Sequence, residues 1–248
     1  MKKVTLSILV AYVFTCLIQP LAKADDSYEI SKYFPMNVGN KWAYSMCEIK
    51  QGKSSENIIH SVIQTKDLLN GKEVYLFERD IGRTPIFYYS LGKDGVYLHK
   101  IVKDDGDVVF SQPVIAFPDN LQLNQEISGS REFKVYDIDG NVLDEGNATA
   151  KIRFGGFKNI IVPAGKFANC LEIESLFILK TKRFSSVILT TTWLAQDVGK
   201  VKEKEKVREY NGAISEIYTE IELKGGMIEG KSVGDFDIRD KSYLGGNI

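Results

Sequence analysis

The sequence predicts an all-β protein built as an antiparallel meander, and three observations carry that prediction. Apolar and polar residues alternate with period two along most of the chain. Turn signals such as Asn70-Gly71, Asp94-Gly95 and Asp139-Gly140 separate the alternating runs by only a few residues, so neighbours in sequence pair in space. No window longer than about ten residues carries a convincing helical period, so few short helices are expected.

The first 24 residues stand apart from the fold. Lys2 and Lys3 form a positive n-region, residues 4–18 are an apolar run, and Pro20 breaks it. Ala22-Lys23-Ala24 then supplies the small-x-small pattern of a signal-peptidase site, with cleavage after Ala24. The run falls short of the roughly 20 apolar residues of a comfortable membrane span. Cys16 follows Phe14-Thr15, where a lipobox wants small residues. The expectation is an exported protein, periplasmic or secreted, with no transmembrane segment in the mature chain. Lys2, Lys3 and Lys23 leave with the signal, so a chain of formal net charge −1 becomes slightly more acidic. That balance exerts no general pull on nucleic acid or anionic lipid.

The rest reads as one β domain over residues 25–224. A tail over 225–248 holds six of the 21 glycines and is expected to be mobile or a loose strap. Residues 25–32 are a polar lead-in, and Tyr33 and Phe34 anchor a turn-rich approach. Trp42, Tyr44 and Met46 alternate with Lys41, Ala43 and Ser45, which places the first strand at 41–49. A second strand covers 57–65. After Asn70-Gly71, Val74, Leu76 and Glu78 alternate with Tyr75, Phe77 and Arg79 in a third.

Residues 86–91 and 96–102 flank Gly92-Lys93-Asp94-Gly95, a strong hairpin signal. The run 108–117 contains Pro113 and ends at Pro118, so it is at best an edge strand. Residues 119–130 are polar and irregular. Residues 131–138 and 141–152 flank Asp139-Gly140, and 154–162 leads to Val162-Pro163-Ala164-Gly165. There Pro163 fixes φ and Gly165 permits a left-handed backbone, so the chain reverses. Strands at 170–181 and 186–194 follow.

Residues 199–223 invite a functional reading, because Lys200, Lys202, Lys204, Lys206 and Arg208 share one strand face and Val201, Glu203, Glu205 and Val207 the other. The next strand offers a plainer one. A three-residue loop at 211–213 sets Arg208 opposite Glu216, Lys204 opposite Glu220 and Lys202 opposite Glu222. The expected face is solvated and internally neutralised.

The mature chain keeps two cysteines, Cys47 and Cys170. An even pair in an oxidising compartment predicts a disulfide; the alternative is two separate buried thiols. Neither cysteine has a C-x-x-C partner, so a redox pair is disfavoured. His60 and His99 sit in strands without a ligand partner at metal spacing, and Asp104, Asp105 and Asp107 lack the spaced set of an EF-hand loop. Ser45, Ser90 and Ser128 lack the glycines of a nucleophile elbow, and no phosphate or dinucleotide loop is present. The sequence therefore nominates no catalytic, cofactor-binding or metal-binding residue.

Three stretches in order carry a resemblance: Phe34-Pro35 through Gly39, Trp42 and Tyr44; Val162-Pro163-Ala164-Gly165 through Phe167 and Cys170; and Trp193-Leu194-Ala195 through Val198-Gly199-Lys200-Val201-Lys202. Together they resemble the TapB-like family of exported bacterial proteins, a domain of unknown function. The resemblance implies a strongly curved antiparallel sheet, a half-barrel similar to lipoprotein carriers of the LolA/LolB kind. It implies no catalytic residue. A concave apolar face of that shape would take a lipid-like ligand or a protein segment. The expected function is a non-enzymatic envelope protein that binds on that face. The alternatives are an interaction module adding a strand at the edge 108–117, and a hydrolase revealed only by convergent carboxylates or a Ser–His contact.

Overall fold

The computed structural model describes residues 28–80, 83–104, 106–210 and 212–236. Thirteen strands form one antiparallel sheet in which every strand pairs with its sequence neighbours. They are β1 (Lys41–Lys50), β2 (Lys53–Leu69), β3 (Lys72–Asp80), β4 (Arg83–Gly92), β5 (Gly95–Val102), β6 (Asp107–Pro118) and β7 (Glu126–Tyr136). Then come β8 (Val142–Val162), β9 (Gly165–Thr181), β10 (Ser185–Ala195), β11 (Gly199–Tyr210), β12 (Ile214–Ile228) and β13 (Lys231–Gly234).

The meander is as expected, but the half-barrel is not: the sheet closes. β1 pairs with β12 from Lys41↔Met227 to Lys50↔Ile217, so twelve strands form a complete barrel. Strand twist accumulates over so long a meander until β1 meets β12, and the pairing covers the edges those two strands would otherwise expose. The helices expected as short pieces reduce, among the described residues, to a single 3-10 turn over Ile30–Lys32.

Other segments are longer than the sequence indicates. Residues 142–162 form one strand interrupted by register shifts near Gly155 and Asn159, where separate strands were expected. Past Leu223, where a tail was expected, β12 runs on to Ile228 and returns as β13, which pairs with Gly225 to Ile228. Residues 237–248 lie outside the described residues, as do Ala24 and the signal segment.

Alternate turns lie at opposite ends of such a barrel, and one end is plugged. Tyr28, Ile30, Tyr33, Phe34 and Met36 are all buried, and Phe34 packs against Phe117 (5.0 Å between ring centres), Tyr89 (5.6 Å) and Phe77 (6.2 Å). Each such side chain contributes about 1.5–3 kcal/mol by leaving water. The segment is tied down by hydrogen bonds from Asp197 N to Lys32 O (2.7 Å) and from Gly39 N to Ile63 O (2.9 Å). The opposite end is filled by Phe110, Phe133, Phe177 and Phe184.

The disulfide is also corrected. Cys47 and Cys170 are both free. Trp42 and Tyr44 point into the core, so the period-two alternation sends Cys47 outward with Ser45, where its sulfur lies 3.6 Å from Ser54 Oγ. Cys170 lies fully buried in the interior beside Trp42 and Leu223. The thiols occupy opposite faces of the wall, an arrangement a disulfide cannot bridge.

Candidate functional site

The three motif stretches converge on the plugged end. Trp42 Nε1 donates to Val198 O (2.7 Å), Ala164 N donates to Leu223 O (2.8 Å), and Trp193 Nε1 donates to Glu172 (2.7 Å). Gly199 takes a positive φ of +89, and a Cβ there would lie 3.3 Å from Pro35. These residues hold the cap of the barrel; the chemically distinctive groups lie deeper.

A lumen cavity of about 180 Å³ sits between the plug and the opposite aromatic cluster. Phe34, Phe77, Phe87, Leu98, Ile152 and Phe177 supply much of its apolar wall. One side is charged. Arg79 follows Tyr75 and Phe77 on the inner face of β3, while Glu203 and Glu205 occupy the inner face of β11. Arg79 donates to Glu203 (3.3 Å) and lies 3.7 Å from Glu205.

Lys200 joins them through a β-bulge. The register of β10 on β11 slips between Trp193↔Lys202 and Leu194↔Lys200, which leaves Val201 as the extra residue. Lys200 is thereby taken off the outer row, and its ammonium reaches Glu203 at 2.5 Å. Thr192, directly opposite Glu203 in the ladder, donates its hydroxyl to the same carboxylate (3.2 Å). The buried Tyr44 hydroxyl donates to Lys200 O (3.2 Å).

The two carboxylates titrate in opposite directions. Burial pushes Glu203 up, but the Lys200 and Arg79 cations outweigh it and hold the group below the ordinary carboxylate value. Burial also pushes Glu205 up, the neighbouring Glu203 charge adds to it, and Arg79 only partly offsets them, so its pKa stays raised. Glu203 accepts hydrogen bonds from Thr192 and Arg79, whereas Glu205 has none among the described residues and faces the cavity. Burial and the nearby Glu203 charge likewise raise the pKa of Tyr89, whose ring lines the same cavity. An apolar chamber with one underused carboxylate is suited to a guest carrying a hydrogen-bond donor.

The residues considered from sequence lie elsewhere. On the outer face of β11 the register is the one the charge pattern predicts: Lys202↔Glu222, Lys204↔Glu220 and Arg208↔Glu216. Arg208 contacts Glu216 at 2.9 Å and Lys202 contacts Glu222 at 2.6 Å. Asp107 pairs with Lys100 (2.6 Å), and Asp105 lies outside the described residues. His60 sits on β2 opposite Ala43, Ser45 donates to Glu222 O (3.3 Å), and Ser128 is exposed on β7.

Ser90 and His99 do meet, with Oγ 2.7 Å from Nε2. Both are buried, at 8% and 7% exposure, so a substrate has little access to the pair. Burial, then the Lys72 cation, lower the His99 pKa, and no carboxylate contributes to that shift. Among the described residues no carboxylate is hydrogen-bonded to the pair.

Sequence reasoning missed Arg79, Thr192 and the inward turn of Lys200. The usable signal was charge on otherwise apolar strand faces: Arg79 after Tyr75 and Phe77, and Glu203 and Glu205 between Val201 and Val207. Opposite signs on two such faces indicate a pair across the interior.

No family model and no curated protein matches the chain. Among solved structures it is similar to a candidate exported protein with a YmcC-like fold from Bacteroides fragilis, at 12% identity and a TM-score of 0.44, covering 77% of this chain and 96% of that one. It is similar to a candidate lipoprotein from Parabacteroides distasonis at 14% identity and a TM-score of 0.40, covering 77% and 98% of the two chains. The hypothetical lipoprotein YmcC from Escherichia coli gives 12% identity and a TM-score of 0.38, covering 78% and 93%. None of these comparisons bears on the resemblance to the TapB-like family; the three stretches that carry it gather at the capped end of the closed barrel.

Proposed function

We propose that this chain is an exported, non-enzymatic binding protein that holds a small, largely apolar molecule with a hydrogen-bond-donating or cationic head inside its barrel. The single observation that carries this reading is Glu205, a cavity-facing carboxylate with a raised pKa and no hydrogen bond among the described residues. A guest's N–H or ammonium would complete it. A cavity of about 150 Å³ already admits a benzene-sized guest, so this lumen accommodates a compact ring system or a short chain. Export rests on the pattern of residues 1–24. Action by binding is the reading suited to an enclosed apolar lumen, because the Ser90–His99 pair is buried away from a substrate.

The test is a fluorescence titration of the mature protein with an aminonaphthalene, a compact apolar amine. Saturable binding is expected. Leu98→Trp fills the lumen and should abolish it; Val114→Phe, a smaller intrusion, should weaken it. Glu205→Gln should weaken binding roughly tenfold, the equivalent of about 1.4 kcal/mol and a modest estimate for a hydrogen bond to a charged group. No saturable binding, or binding indifferent to Leu98→Trp and Val114→Phe, overturns the reading.

A further inference from the structure

The barrel wall is not equally sealed all round. β6 and β7 pair only from Asp107↔Tyr136 to Phe110↔Phe133. Beyond those pairs no ladder joins residues 111–117 to residues 126–132 among the described residues. In the first segment Val114, Ile115 and Phe117 pair with β5, and the second segment pairs with β8 alone. Ser128, Gly129, Ser130, Arg131 and Glu132 are exposed in succession, whereas Phe133, where pairing with β6 begins, is buried at 2% exposure. A strand within a packed wall covers one of its two faces. This length of β7 stands clear of the core on both.

The cavity lies directly behind that seam. Its lining includes residues 114–117 of β6 and Ala150 and Ile152 of β8, but no residue of β7. The ends of the barrel offer poorer access. Tyr28 to Met36 cap one end, and Phe110, Phe133, Phe177 and Phe184 fill the other. The N-terminal segment also secures the capped end of the seam: Tyr28 donates its hydroxyl to Pro118 O (3.1 Å), and Ile30 N donates to Asp119 (2.9 Å).

We propose that ligands reach the lumen sideways, through the seam between residues 111–117 of β6 and residues 126–132 of β7. This rests on the reading of the lumen as a binding site and adds its route of access. Separating these two segments breaks no backbone ladder, whereas an opening between fully paired strands would break several ladder hydrogen bonds. Capture of an outside strand is disfavoured at the same place. Pro113 lacks a donor, the register on β5 shifts between Val109 and Val114 and again between Ile115 and Phe117, and Glu126, Arg131 and Glu132 place charge along β7.

The test staples the seam. Ser111→Cys with Glu132→Cys, the first positions beyond Phe110↔Phe133, are placed in the mature chain with Cys47→Ser. Stopped-flow uptake of the aminonaphthalene should slow about tenfold or more when the staple is oxidised, and recover on reduction. An unchanged rate, with the staple confirmed by thiol titration, overturns the lateral route and leaves the lumen reading intact. Loss of saturable binding in the unstapled protein would overturn the lumen reading and the route with it. Hydrogen exchange on the unmodified protein supplies a ligand-free check. Backbone amides in 111–117 and 126–132 that point across the seam should exchange about tenfold or more faster than those of β1. Equal protection would show a sealed wall and overturn the proposal.

Discussion

The two faces of β11 carry the same kinds of residue and do opposite things with them. Outside, Lys202, Lys204 and Arg208 meet glutamates of the adjacent β12, and Lys204 and Arg208 remain 52% and 61% exposed. Inside, Glu203 and Glu205 meet Arg79 from the non-adjacent strand β3, and Glu203 is only 7% exposed. Solvent screens the Lys204 and Arg208 pairs, so each contributes little, while Lys202 is held half-buried between two glutamates. Desolvation makes the inner cluster costly to form and costly to break. A charge on a strand thus has a meaning only with its face and its partner.

The largest expected effect follows from breaking the inner cluster. Arg79→Met leaves the buried Glu203 and the half-buried Glu205 without their shared cation. Breaking a fully buried pair costs 3–5 kcal/mol, and the 22% exposure of Arg79 argues for the lower end, about 3 kcal/mol. Urea unfolding would register it as a lower midpoint at unchanged slope.

The second effect is in pH dependence. Glu203 has a folded pKa below its ordinary 4.5, so its contribution is present above that value and lost as pH falls through the folded pKa. Glu205 has a folded pKa above 4.5, so its contribution is present below that value and lost as pH rises through the folded pKa. Glu205→Gln should therefore flatten the decline of stability with rising pH above 4.5. Glu203→Gln should reduce the acid-side loss while lowering stability near neutrality. Melting temperatures of the three proteins across the pH range separate these outcomes.

The cysteines repeat the contrast between faces. Burial pushes the Cys170 thiol up to about 11 and the side chain is fully enclosed, while Cys47 lies on the outer face and is partly exposed. Thiol labelling should modify Cys47 alone in the native protein and both cysteines after denaturation. The smallest effect belongs to the outer ladder: Lys204→Ala should change stability by less than about 1 kcal/mol, and salt should shrink the change further.

What could be read from sequence was local. The hairpin of β11 and β12 was legible because its loop is short and its charges complement in only one register. The turn at Pro163, the hairpin around Gly95 and the meander order were legible for the same reason. Closure was not, because Lys41 meets Met227 and nothing local states that pairing. The inner cluster was not, because Arg79 and Glu203 are 124 residues apart and because Lys200 turns inward only through a bulge. The disulfide expectation failed on the same ground. Counting cysteines does not say which face of a wall each occupies.

Native mass spectrometry of the protein, purified gently from the cells that make it and set beside Leu98→Trp, tests the central claim most directly. The account predicts a reproducible added mass on the unmodified protein, resolving into a small and largely apolar molecule, and its loss from Leu98→Trp. A bare mass for both proteins, or the same adduct on both, would contradict a ligand held in the lumen.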